Sequence, residues 1–268
     1  MPLIKTNLDS LDFANLYAKQ MELSTFKGKS SQEWDKRANS MNINVHKSIY
    51  TKTFVDKIET TDCDSLLDIG CGPGTISLAM ASKLKEIYAL DYSLGMLDCV
   101  KENCKEKNIE NLKTIHKSWY DDWEDVPNAD IVVASRSMEV KDIKDALIKL
   151  NTKANKRVYL TTKVGGSFID TEILAQLKRE IIPRPDYIYL VNVLHSMGIF
   201  AKVDFIKSEN NKFESSTSEE FVEKVGWSLG ELDVEEKNVL KEYFNSTYKY
   251  KKTADYINWA MISWESKK

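Results

Sequence analysis

Asp68, Gly70, Gly72 and Gly74, spaced D-x-G-x-G-x-G, and Asp91 further along are the residues of this 268-residue chain whose types and spacing could do chemistry. The glycines lie in LLDIGCGPGTISLAMA (66–81), between an apolar run with the look of a strand and one with the look of a helix. Glycine permits positive φ and lacks the Cβ that would hold a ligand away from the backbone. A turn that opens into a helix is expected to present unpaired N–H groups and the positive end of the helix dipole, and so to attract an anion or a carboxylate. The bland alternative is a tight strand-to-helix connection that binds nothing, and three glycines in one βα unit weigh against it.

Asp91 ends the next apolar run, EIYALD, 21 residues after Gly70. A carboxylate at that place accepts hydrogen bonds from ribose hydroxyls, which points to a nucleotide-containing ligand. Spacing separates two ligand classes. A dinucleotide fingerprint counted from Gly70 needs a third small residue at position 75, where this chain has Thr75. Asp91 serves either class, and an Asp followed by Ser is also an ordinary helix start.

The elements that must position these residues can be read from hydropathy. Helices are predicted up to about residue 60. Strands are then predicted at 65–70, 86–91, 112–118, 130–135 and 157–164, with helical patterns between them. One such helix, 142–155, places Ile143, Ala146, Leu147, Leu150 and Ala154 on one face. Strands alternating with single helices imply a doubly wound parallel sheet. Beyond Arg184-Pro185 the pattern predicts a helix over 187–198, a strand over 199–208 and two helices within 217–247, the first capped by Ser218. The alternation in DYINWAMISWESK predicts a final strand, with an apolar helix as the alternative.

Composition excludes several classes. The net charge is −3, with Lys and Glu interspersed, so no polyanion-binding stripe is expected and DNA is not an expected partner. The densest basic stretch, YKYKK (248–252), reads as a helix end or a small binding patch. Cys63, Cys71, Cys99 and Cys104 form no C-x-x-C pair, which argues against zinc, dithiol and iron–sulfur chemistry; no metal is expected. No window approaches the ~18 apolar residues of a membrane span, and MPLIKTNLDSLDF lacks the apolar core of a secretion signal, so a cytoplasmic protein without a membrane partner is expected.

The stretch from Asp68 to Gly74 resembles the first motif of the class I, Rossmann-like S-adenosylmethionine-dependent methyltransferases, an acidic residue followed by G-x-G-x-G. The resemblance implies a turn, Gly70, Cys71, Gly72 and Gly74, wrapped around the methionine part of the cofactor, with Asp68 facing its ammonium directly or through water. Asp91 to Met96 resembles the second motif, which implies Asp91 on the ribose and Tyr92 and Met96 near the adenine. At the end of the third strand the match is looser: Ser118 would bond the adenine amino group, and Trp119 or Tyr120 would wall the base. Ser135 would lie under the sulfonium. There the chain reads Ser135-Arg136-Ser137-Met138, without the Asn/Asp/Ser-Pro-Pro-Tyr/Phe signature of amino-modifying members. Arg136 is the candidate for a substrate carboxylate or phosphate, against the plainer role of a surface ion pair.

The resemblance further implies an α/β, doubly wound, mostly parallel seven-stranded sheet, with a helical lid over 1–60, a core over 61–208, a helical insertion over 209–252 and a last, antiparallel core strand over 253–268. Trp34 and Arg37 in the lid, and Tyr50, are candidates to contact the cofactor, against a plain packing role. The function implied is in-line transfer of a methyl group from S-adenosylmethionine to an O, N, C or S atom, leaving S-adenosylhomocysteine, with a small molecule as acceptor. RNA or protein acceptors, a non-catalytic S-adenosylmethionine-binding protein and an NAD-dependent oxidoreductase are the alternatives. His46, His116 and His195 are candidate bases, though none lies in a diagnostic motif, and Asp121 and Asp122 are adjacent but read as solvated. Oligomeric state is not readable from the sequence.

Overall fold

A computed structural model describes residues 10–44, 46, 48–167, 169–209, 212–251 and 256–266. The first nine residues of the expected lid and of MPLIKTNLDSLDF, Lys252 of YKYKK, and the boundary between the expected insertion and last strand lie outside the described residues.

Seven strands form one sheet: β1 (Ser65–Ile69), β2 (Glu86–Asp91), β3 (Leu112–His116), β4 (Ala129–Ser135), β5 (Ala154–Lys163), β6 (Lys202–Glu209) and β7 (Tyr256–Glu265). Their order is β3-β2-β1-β4-β5-β7-β6. The first five pair in parallel, and β7 enters antiparallel between β5 and β6 with Leu160 opposite Ile262. This is the doubly wound, mostly parallel architecture expected. The chain reverses direction across the sheet between β1 and β4, and such a reversal opens a crevice at the carboxyl ends of the strands.

Helices cover both faces, which is why the central strands are apolar on both sides. Leu67 and Ile69 point to one face, joining Val132, Ala134, Val158 and Leu160 under α1 (Phe13–Leu23), α7 (Ile143–Lys153) and α9 (Tyr187–Ser196). Leu66 points to the other, with Ile87, Ile131 and Val133, under α4 (Ile49–Asp56) and α5 (Thr75–Met80). Each of these strand residues is fully buried. Between α1 and α4 run the short α2 (Ser31–Asp35) and α3 (Ala38–Asn44), and α6 (Leu94–Lys107) follows β2.

A separate apolar cluster joins α10 (Ser218–Leu229) and α11 (Val234–Ser246) through Phe221, Val225, Leu240 and Phe244. It includes Ile173 and Leu177, at and just beyond α8 (Thr171–Leu174), and Phe26, so these helices are joined to the connection after β5 as well as to each other. Lys251 pairs with Glu172 across the same seam at 2.8 Å.

Several boundaries differ from the sequence-based expectation. Thr217, not Ser218, caps α10: its extended backbone lets the hydroxyl accept from Glu220 N, while Ser218 is already the first helical residue. Helix α7 stops at Lys153, and Ala154 turns directly into β5. Strand β3 ends at His116, so Ser118 stands in a turn, and β6 begins at Lys202 because the three residues after Gly198 connect it to α9.

Candidate active site

The glycine turn lies at the strand reversal. Gly70, Gly72 and Gly74 all have positive φ, of 65°, 55° and 84°. At Gly70 the conformation and the space both require glycine: an added Cβ would stand 2.4 Å from Cβ of Ser137, in the segment after β4. At Gly72 nothing lies within 4 Å of that position, so the missing side chain leaves open space.

The turn does not offer the free N–H groups expected of an anion site. Gly70 and Cys71 both donate to Leu90 O (2.8 and 3.0 Å), Gly74 donates to Cys71 O (3.1 Å), and Pro73 has no N–H. Gly72 donates to Asp91 Oδ2 at 2.8 Å. At the start of α5, Asp68 Oδ2 accepts from Ser77 N (3.1 Å) and Ser77 Oγ (2.6 Å), so the chain's own carboxylate takes part of the place an anion would seek. Asp68 Oδ1 is buried and has no hydrogen-bond partner. Burial pushes this carboxyl up to about 7 against its Ser77 bonds, and the Asp91 charge adds to the rise.

Asp91 is 5% exposed at the end of β2. Its other oxygen accepts from Ser93 N at 2.9 Å, and burial raises its pKa despite the backbone donors. Each carboxylate oxygen accepts two hydrogen bonds, so capacity remains beside Gly72. Ser93 caps α6 through Met96 N, and its hydroxyl also donates to Asp35 at 2.6 Å. Asp35, from α2, accepts from Gly95 N too (2.9 Å), which fastens the N-terminal helices onto the start of α6. Met96 is buried against Ala38, Cys99, Trp34 and Met41, while the Tyr92 hydroxyl donates to Lys29 O at 2.8 Å. Trp34, Tyr92 and Met96 therefore lie together beside Asp91. Trp34 also meets Trp227 of α10 edge-on at 5.6 Å, and the Arg37 guanidinium lies 3.8 Å over that same indole.

At the other strand ends, Ser118 N donates to Asp121 and Ser118 Oγ accepts from Tyr120 N, which fixes the turn after β3. Trp119 stacks on Trp123 and donates its indole N–H to Ser137 O at 3.0 Å. Ser137 Oγ donates to Ile69 O at 2.6 Å, closing the β4 segment onto the glycine turn. Ser135 Oγ lies 2.8 Å from the Tyr50 hydroxyl, itself 2.6 Å from Thr161 Oγ1. Tyr50 is fully buried, so it braces the ends of β4 and β5 from below. Arg136 has a left-handed backbone (φ 59°), donates its N–H to Thr161 Oγ1 at 3.0 Å and lays its guanidinium 4.4 Å over the Tyr50 ring. A non-glycine residue held in that conformation at a strand end is a mark of functional sites.

Comparison with known proteins follows the same lines. A family model described as "Methyltransferase domain" matches residues 66–154, the stretch from β1 to the start of β5. A Haemophilus influenzae protein of uncharacterised function is 38% identical over 258 residues, covering 95% of this chain and 96% of its own length. A "Release factor glutamine methyltransferase" of Francisella tularensis is 27% identical over 171 residues, 59% of each chain. The chain belongs to the class I S-adenosylmethionine-dependent methyltransferases.

Two solved structures share the fold of this methyltransferase: the YcgJ protein of Bacillus subtilis (TM-score 0.54, 13% identity, 82% of this chain and 98% of that one) and the [4+2]-cyclase SpnF (TM-score 0.57, 13% identity, 89% and 98%). The second is described as a cyclase, so the fold alone does not name the acceptor chemistry. Apart from the Haemophilus protein, the chain spans between about a third and two thirds of the length of the curated relatives it matches.

The residues present fit a positively charged amino-acid cofactor: a buried acid oxygen without a partner at Asp68, and open backbone at Gly72. Of the candidate bases, His116 lies at the crevice, opposite Asp91 at the end of β3. His46 bonds Asn42 (2.8 Å) on α3, His195 packs on Phe200 along α9, and His116 is exposed with Nε2 3.1 Å from Tyr92 O. Among the described residues no group of three or more His, Cys, Asp or Glu side chains is arranged to hold a metal ion, and no helix is long and apolar enough to cross a membrane. Ser77, Asp35, Ser137 and Thr161 escape sequence reasoning, since each acts through a hydrogen bond to a distant or non-motif residue. The S-x-x-M spacing of Ser93 and Met96 was the one local cue that the α6 start is a fixed point.

Proposed function

We propose that this methyltransferase binds S-adenosylmethionine at the β1–β2 side of the crevice and transfers its methyl group to a small-molecule acceptor held at the β4–β5 side. One observation carries the reading. The turn's N–H groups at Gly70, Cys71, Gly72 and Gly74 are taken internally, while Asp68 keeps a carboxyl oxygen without a partner. Such a lining disfavours the pyrophosphate of a dinucleotide and favours an ammonium.

On this reading Asp68 faces the ammonium, Gly70, Cys71, Gly72 and Gly74 curve around the amino-acid part, and Asp91 accepts from the ribose hydroxyls. Tyr92, Met96 and Trp34 line the adenine side, with Ser118 and Trp119 beyond it. Ser135 lies toward the reacting methyl, Arg136 toward the acceptor, and Tyr50 holds both from beneath. When bound, the cofactor supplies an electrophilic methyl on a sulfonium. The chain's contribution is to align an acceptor with it and to exclude water. The names of the release-factor and ribosomal-protein methyltransferases among the relatives favour a second reading, a protein acceptor.

Calorimetry with S-adenosylmethionine should give saturable binding to the full chain that Asp91→Ala abolishes; a folded protein that evolves no heat overturns the reading. Transfer of tritium from labelled cofactor into a protease- and nuclease-treated cell extract separates the two acceptor classes. Retention of signal supports the small molecule, and its loss on protease treatment supports the protein.

A further inference from the structure

The chain has five arginines, and four of them have oxygen partners for the guanidinium. Arg37 pairs with Glu223, Arg179 with Glu236 and Arg184 with Glu139, while Arg157 donates to the carbonyls of Glu59 and Thr61. Arg136 differs. Among the described residues no carboxylate or carbonyl accepts from its guanidinium, which lies 4.4 Å over the Tyr50 ring and 5.8 Å from the centre of the Trp259 ring. Stacking on a ring occupies a face of the planar group and leaves its N–H edges open to an in-plane partner. The backbone beneath is fixed as well, with φ 59° and its N–H given to Thr161 Oγ1 at 3.0 Å. Holding a non-glycine residue left-handed costs stability, and here it sets the direction of an exposed cation that makes no ion pair.

Beside Arg136, three hydroxyls form a chain whose direction follows from counting protons. Thr161 Oγ1 lies 2.6 Å from the Tyr50 hydroxyl, which lies 2.8 Å from Ser135 Oγ. Thr161 and Tyr50 are both fully buried, so solvent serves neither. If Tyr50 donated to Thr161, which already accepts from Arg136 N, the Thr161 proton would be left without an acceptor among the described residues. A buried donor left unpaired is costly, so Thr161 donates to Tyr50 and Tyr50 donates to Ser135. Burial raises the Tyr50 pKa against the pull of the Arg136 charge, which keeps that proton in place. Ser135, half-buried at the end of β4, thus accepts from beneath and keeps its own proton to give, and no described residue takes it.

We propose that the Ser135 hydroxyl and the Arg136 guanidinium are a donor pair that holds an oxyanion of the methyl acceptor, a carboxylate or a phosphate, so that the acceptor is an anionic metabolite. The proposal rests on the β4–β5 side of the crevice being the acceptor side, and names the class of molecule held there. Both donors stand against one side chain, Ser135 on the Tyr50 hydroxyl and Arg136 on its ring. The guanidinium edge and the hydroxyl offer donors alone, which suits oxygen lone pairs and not an ammonium. Ser137, two residues on from Ser135, abuts Gly70 of the glycine turn, so an anion held here lies close to the place where the methyl would be presented. An oxyanion neutralised by a guanidinium is a weak nucleophile. The held group is therefore the acceptor's handle, and the methyl goes to another atom of the same molecule.

The test is NMR of the full chain carrying isotope-labelled arginine, with S-adenosylhomocysteine present, titrated with sodium acetate or sodium phosphate against sodium chloride at equal ionic strength. The Arg136 side-chain signal, assigned by its loss in Arg136→Gly, should move saturably with an oxyanion while the other arginine signals stay; the tighter of acetate and phosphate names the handle. Ser135→Ala should weaken that response by about fivefold. Arg136→Gly, which suits the left-handed backbone, should unfold no earlier than the wild type and bind S-adenosylhomocysteine calorimetrically as tightly. Arginine signals that all move alike, or an Arg136 signal that neither oxyanion moves beyond chloride, overturn the site. A response unchanged in Ser135→Ala overturns the donor pair. A loss of S-adenosylhomocysteine affinity of about tenfold or more in Arg136→Gly places the guanidinium on the cofactor's own carboxylate and overturns the acceptor assignment. Failure of the wild type to bind S-adenosylhomocysteine counts against the methyl-transfer reading instead, and the titration of the chain alone then decides the oxyanion site.

Discussion

On the β1–β2 side of the crevice the titratable groups are acids: Asp68 and Asp91, both buried, both held by serine or backbone donors, both with raised pKa values. On the β4–β5 side a small cleft is lined by Lys163 and Arg184 together with Glu139, so both signs of charge meet there. The two sides are also built differently. Asp68, the glycines and Asp91 lie within one βαβ unit, whereas the cleft on the other side draws on α1, the ends of β4 and β5, and the chain around 184. The contrast is between a local motif that can be read along the chain and a cleft assembled from remote segments.

The largest expected effect separates two glycines, one on each side. Gly166→Ala should destabilise the fold by about 3 kcal/mol or more, since its Cβ would stand 2.0 Å from the Arg184 carbonyl oxygen at positive φ. Gly72→Ala has open space around its Cβ and should lose only about 1 kcal/mol from its left-handed backbone, while cofactor affinity falls. Denaturant unfolding beside calorimetry measures both, and similar stability losses with intact cofactor binding in Gly72→Ala would break the comparison.

A smaller effect follows from Asp68. Its folded pKa, about 7, lies above the ordinary carboxylate value, so the folded state holds a proton that the unfolded state has released between about pH 4 and 7. Stability should fall as pH rises through that window and level off above it, by an amount of order a few kcal/mol. Asp91, also raised, adds to the same slope. In Asp68→Asn the fall should flatten. If Asp68 meets the cofactor's ammonium, binding near pH 6.5 should release a proton in the wild type and not in that variant, which calorimetry in buffers of different ionisation enthalpy reads directly.

The smallest effect concerns the fastening of α2. Asp35→Ala removes an acceptor shared by the Ser93 hydroxyl and Gly95 N and should lose about 1 kcal/mol at that exposed site. Hydrogen exchange should then speed up in α2 and at the start of α6 while β1 and β4 stay protected; an unchanged α2 would mean that the Trp34–Trp227 contact alone holds it.

The strands were largely legible because each is a short apolar run between polar turns, and the buried central pair β1 and β4 has no polar face to blur the pattern. Helix ends were less so. Thr217 and Ser218 are both competent caps by type, and the choice between them depends on which one has the extended backbone. The glycine turn shows the limit most clearly. Its sequence predicts free N–H groups, but Leu90 O, Cys71 O and Asp91 Oδ2 take them, and two of those three acceptors belong to the next strand, beyond any motif-length window.

By itself the sequence determined the alternation of strands and helices, the glycine turn after β1 and the carboxylate at the end of β2, because each depends on residues close together in the chain. Only the tertiary structure decided that the turn's donors are satisfied, that Ser137 closes against Gly70, that Arg136 is held left-handed over Tyr50, and that Glu139, Lys163 and Arg184 share one cleft. The physical reason is distance along the chain. Hydrogen-bond satisfaction and charge density are properties of neighbours in space, and here those neighbours are brought together by the packing of the sheet and its helices.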